Sequence, residues 1–113
     1  MIASTLHHKM DAKEKLISRN KLGLTIQRIL EENKSKKDNK LITSLRKLAA
    51  SSGIEYAIIQ KISSGKKDPQ WTTVVSLADG FGITMSEFCA YYEKVSDHSI
   101  QKQIQQINKK KSP

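Results

Sequence analysis

One cysteine, two prolines and six aromatic residues are all that this chain of 113 residues holds of those types, and each scarcity excludes something. A lone Cys89 rules out an intramolecular disulfide and any zinc site made from a cysteine cluster, as expected of a protein kept in a reducing compartment. It reads as a small buried hydrophobe. No run of about 18 apolar residues is present to span a bilayer, and the start MIASTLHHKM lacks the apolar centre of a secretory signal. The expectation is a soluble, cytoplasmic protein with no membrane partner. No stretch reads as a convincing strand, and no glycine-rich phosphate loop is present. His7, His8 and His98 have no acidic or thiol neighbour at metal-ligand spacing. Ser51, Ser52, Ser63 and Ser64 stand at expected helix ends, where capping accounts for them better than nucleophilic chemistry. We therefore expect no enzyme, no catalytic residue, no cofactor and no metal.

What is abundant is positive charge. A formal net charge of +9 favours an anionic partner, because clustered lysines gain free energy by releasing the counterions condensed on a polyphosphate. Anionic membrane surfaces fit the same number. The charge sits at the ends: residues 1–40 have ten Lys or Arg against five acids, residues 41–88 five against four, and residues 89–113 five against two. The middle is nearly neutral, so the function has to be sought in the pattern of its residues.

That pattern is helical throughout. Residues 1–20 form a polar N-terminal extension whose segment DAKEKLISR either lengthens the first core helix or stays loose. Leu22, Ile26, Ile29 and Leu30 recur on one helical stripe, giving a first helix that ends near Asn33. NKSKKDNK has no apolar residue and reads as an exposed connection. Thr43 or Ser44 caps a second helix with Leu45, Leu48 and Ala49 on its apolar face, and Ser51-Ser52-Gly53 stops it. A third helix, over about 55–63, carries Ile58, Ile59 and Ile62 and ends at Ser63-Ser64-Gly65. Two short helices joined by a tight glycine turn are the geometry of a helix-turn-helix. After Asp68-Pro69 a fourth helix places Trp71, Val74, Leu77, Ala78 and Phe81 three or four apart, with Gly80 costing about 1 kcal/mol inside it. Thr84-Met85-Ser86-Glu87 is a capping box for a fifth helix through Phe88 toward Tyr92. The expected core of residues 21–92 includes Ile26, Leu48, Ile59, Ile62, Trp71, Leu77 and Phe88. Residues 93–113 form a polar, basic tail in which Ile100, Ile104 and Ile107 share one helical face. That sparse stripe suits a frayed end, a helix packed on its own domain, or a dimer contact, and the frayed end is the leading reading.

The segment Leu45 to Phe88 resembles the lambda-repressor-like helix-turn-helix family, also called the XRE family. The resemblance rests on Leu48-Ala49, Gly53-Ile54, Ile59 with Ile62, Gly65-Lys66, Pro69, Leu77-Ala78-Asp79, Gly82-Ile83 and Ser86-Glu87-Phe88, in order and at the family's spacing. With the first helix it covers more than half of the chain. It implies an all-α fold, a five-helix domain with polar N- and C-terminal extensions, whose third helix lies in the DNA major groove while the second crosses the phosphates. By that resemblance Tyr56, Ala57, Gln60 and Lys61 face base edges. Ser44 and Leu45 at the start of the second helix, and Ser64, Lys66 and Lys67 after the third, lie against phosphates. Three features depart from the family pattern: a longer connection over Asn33 to Ile42, Leu45 where a phosphate-holding glutamine is common, and Leu30 with Ser63 where an arginine and a glutamate commonly pair. Loss of both members of that pair leaves no buried charge uncompensated.

The implied function is a sequence-specific transcriptional regulator, repressor-like, acting on double-stranded DNA as a homodimer. An antitoxin-type autorepressor with a toxin as partner has the same sequence signature. So has a protein-interaction module that uses the fold without reading DNA. The basic ends alone would also suit a nonspecific polyanion or membrane-surface binder.

Overall fold

In the computed structural model, which describes residues 9–111 and the last two of these by backbone alone, the first helix opens on a reciprocal cap. The Asp11 carboxylate accepts the Glu14 amide at 2.8 Å while that of Glu14 accepts the Asp11 amide at 3.2 Å. Helix α1 (Ala12–Ser35) therefore runs unbroken through DAKEKLISR, and the boundary drawn at residue 20 falls inside it. After a lysine-rich exposed connection, α2 (Leu45–Ser52) starts where the Ser44 hydroxyl accepts the Lys47 amide at 3.1 Å. It stops at Gly53, whose φ of 77° is left-handed. Then come α3 (Tyr56–Ser63), α4 (Trp71–Phe81), α5 (Met85–Lys94) and α6 (Asp97–Lys111). The capping box opens α5 as expected, with Thr84 accepting from the Glu87 amide and Glu87 accepting from the Thr84 amide. All regular secondary structure among the described residues is helical, with no strand.

Helix α1 is the spine, packing against α3, α5 and α6, while α2 lies on α4 and α3. Ile26, Leu48, Ile59, Ile62 and Leu77 are fully enclosed where these helices meet, and Phe81 and Phe88 close the cluster from α4 and α5. The glycine inside α4 has a packing reason. A β-carbon at Gly80 would sit 2.8 Å from that of Ser52, and the Ser51 hydroxyl donates to the Gly80 carbonyl at 2.7 Å. The propensity cost is thus set against a closer α2–α4 contact.

Three expectations are corrected. Trp71 is 66% exposed, because it is the first residue of α4 and overhangs the end of the stripe that Leu77, Ala78 and Phe81 bury. Cys89 is exposed, since it follows the buried Phe88 around the helix and faces away from the core. The tail is no frayed end: α6 packs on α1, with Ile100 only 1% exposed and Ile104 and Ile107 half-buried. The described residues thus include a sixth helix beyond the five expected. His98 is exposed near the start of α6, whereas His7 and His8 lie outside the described residues. No described helix is long and apolar enough to cross a membrane.

Candidate nucleic-acid interface

Helix α3 is too short to hold itself together in water, and its two faces divide sharply. Ile59 and Ile62 point into the core, while Ala57, Gln60 and Lys61 are exposed. Tyr56 is half-buried, and the Arg46 guanidinium lies over its ring at 4.1 Å from the centroid. Ala57, Gln60 and Lys61 share one shallow depression with Leu45, Ser63, Ser64 and Lys66. Ala57, Gln60 and Lys61, singled out for base edges, and Leu45, Ser64 and Lys66, singled out for phosphates, are therefore neighbours on one surface, whereas Tyr56 and Ser44 do not line it. From Tyr56 to Lys67 the chain has no acidic residue.

The residues differ in what they can offer there. The Ser44 hydroxyl is engaged by the Lys47 amide as the α2 cap, and the Leu45 side chain packs on the core, so what this end can offer is the Leu45 and Arg46 amides at the start of the helix. Lys66 and Lys67 are exposed cations, and Lys67 lies outside the depression. The turn between α3 and these lysines is fixed by its own backbone. The Lys66 amide reaches the Lys61 carbonyl at 2.9 Å and the Gly65 amide the Ile62 carbonyl at 3.1 Å, with Gly65 at φ 77°.

Behind this surface, polar side chains hold the end of α3 by its main chain. Gln27 donates to the Ser63 carbonyl at 2.6 Å and Arg19 to the Gly65 carbonyl at 3.3 Å. Gln103 of α6 accepts from Gln27 at 3.1 Å and donates to the buried Asn20 at 2.8 Å. Asn20 in turn donates to the Leu16 carbonyl at 2.9 Å. At Gly23 the approach is so close that a β-carbon would overlap the Ser63 carbonyl oxygen. Sequence reasoning found none of these supports, nor Arg46. The signals were present as a glycine on the apolar side of α1 and glutamines beside the isoleucine stripe of α6, but polar partners leave no periodicity to read.

A separate cleft of about 300 Å³ lies between α1, α4 and α5, lined by Met10, Trp71, Val74, Met85, Phe88 and Tyr92 among others. Among the described residues no group of histidine, cysteine or acidic side chains is arranged to hold a metal ion. Compared with family models, with curated proteins and with solved structures, the chain matches none.

Proposed function

We propose that this chain is a sequence-reading, double-stranded-DNA-binding transcriptional regulator of the lambda-repressor-like helix-turn-helix type, with α2 and α3 as the motif, acting as a homodimer. The carrying observation is the surface that exposed Ala57, Gln60, Lys61 and Lys66 share with half-buried Ser64, braced from behind by hydrogen bonds to the main chain. With α3 in the major groove, Lys61 suits guanine O6 and N7, Gln60 suits adenine N6 and N7, and Ala57 suits a thymine methyl. Tyr56 keeps Arg46 stacked beside the groove edge, where the guanidinium meets a phosphate. Lys66, Lys67, Ser64 and the first amides of α2 at Ser44-Leu45 set the register on the backbone.

Lys61 and Lys66 carry the same side chain in different roles, which makes the test. After selection of a site from random duplexes, Lys61→Ala should cost roughly 1–3 kcal/mol on that site and relax discrimination at one base pair. Lys66→Ala should weaken all sequences alike and lower the salt slope by about one. If both variants weaken selected and random DNA equally, α3 is not reading bases.

A second reading, a protein-interaction module with a toxin or other protein as partner, is favoured by one observation: the apolar cleft beside the exposed Trp71. It gains if neither lysine variant alters DNA binding.

A further inference from the structure

We propose that the C-terminal end of α6 is a second phosphate-contacting element, set beside the end of α3; this rests on the DNA-binding reading above. Its position follows from the packing. Ile100 is buried, Ile104 and Ile107 are half-buried, and Gln103 is hydrogen-bonded to Asn20 and Gln27 of α1. The same Gln27 holds the Ser63 carbonyl, so α6 and the end of α3 are tied to one side chain. Gln106 and Ile107 share a recess with Ser63 and Ser64, and Ser64 also borders the depression of Gln60, Lys61 and Lys66.

From Ile107 the helix runs on through Lys109, Lys110 and Lys111, roughly 3–6 Å further along its axis at 1.5 Å per residue. Asp97 in the first turn is the last acid of the chain, so every charged side chain in the rest of α6 is basic or a histidine. Lys109 is exposed, and the backbone of α6 carries two more lysines directly after it, so a run of three cations follows the recess shared with the end of α3, the complement of a polyanion that passes across both. Lysines at a helix C-terminus also offset the helix dipole. That ordinary role acts on stability and leaves the salt dependence of binding alone, which separates the two explanations.

The test compares the full chain with a triple variant, Lys109→Gln, Lys110→Gln and Lys111→Gln, and with the corresponding triple arginine variant. Each is titrated against a selected-site duplex and a random duplex at several salt concentrations, with far-UV circular dichroism as the check on folding. The glutamine variant should keep its helix content, bind both duplexes more weakly by the same factor, roughly ten- to several-hundredfold, and lose about two to three from the salt slope. The arginine variant should keep the parent slope. An unchanged slope with a small fall in melting temperature overturns the proposal in favour of dipole compensation. Should the parent bind no duplex, the DNA-binding reading falls and this inference with it. If Lys61→Ala alters discrimination while the triple variant leaves the slope unchanged, only the inference about α6 falls.

Discussion

Replacing Gly23 by alanine sets two effects against each other whose signs differ. In an isolated helix the change would stabilise by about 1 kcal/mol, since glycine is the poorer helix former by that amount. In this structure the new β-carbon would lie 2.8 Å from the Ile62 carbonyl oxygen and overlap that of Ser63. Both obstacles are main-chain atoms in the last turn of α3, and neither can rotate aside. The helices must part by roughly 0.5–1 Å, which forfeits a quarter to a half of the dispersion well for atoms facing across the gap. Overpacking of this kind costs about 1–3 kcal/mol. The short Gln27–Ser63 hydrogen bond also stretches, for about 1 kcal/mol more. The net expectation is a loss of about 2 kcal/mol, measured by urea unfolding followed by circular dichroism, and under the proposed DNA-binding function affinity for DNA falls as well because the end of α3 has moved. A variant as stable as the parent, or more so, would refute the close α1–α3 approach and the bracing argument with it.

Trp71→Ala should cost under about 1 kcal/mol in the same assay, because exposed side chains away from special features change stability little; a loss of 3 kcal/mol would mean the ring is covered in solution. Ile100→Ala removes a buried side chain that joins α6 to α1 and should cost roughly 2–4 kcal/mol or release α6, visible as lost helix signal and a new protease-sensitive site; resistance equal to the parent's would contradict the packed helix. Glu87 has its carboxyl held below the usual range, chiefly by the hydrogen bond from the Thr84 amide and then by that from the Thr84 hydroxyl. A lowered value means that stabilisation is present above the unfolded-state value and is lost as pH falls through the folded one. The stability difference between parent and Glu87→Gln should accordingly shrink on acidification; a gap that widens toward acid would reverse the assignment.

Where the fold was legible in the sequence, the signal was chemical as well as periodic. Ser44, Gly53, Thr84 with Glu87, and the glycine turn after Ser64 each do one local job that few residue types can do, and they mark the start and stop of α2, the stop of α3 and the start of α5. Periodicity alone misled at its margins. Trp71 belongs to the right stripe, yet a first-turn residue can extend past the helix it packs on. Cys89 was assigned by the habits of its residue type, though its place next to Phe88 turns it outward. The tail was hardest, because α6 is fastened in part by amide-to-amide hydrogen bonds through Gln103, and hydropathy does not register such contacts. For the candidate site, the outward residues of α3 could be picked out because the inward ones are isoleucines. Their bracing could not, since Arg19 and Gln27 reach carbonyl groups that every residue possesses.

That last property reaches beyond folding. The polar supports of α3 grip the carbonyls of Ser63 and Gly65, and its side-chain anchorage lies in the inward isoleucines and in Tyr56 under Arg46. A carbonyl group is the same whichever residue bears it, so Ala57, Gln60 and Lys61 are free to change without loosening the scaffold. Under the proposed function, preference for a target and the ability to fold are in this way inherited separately, and a duplicated copy of the chain is able to drift to a new target while remaining the same object mechanically.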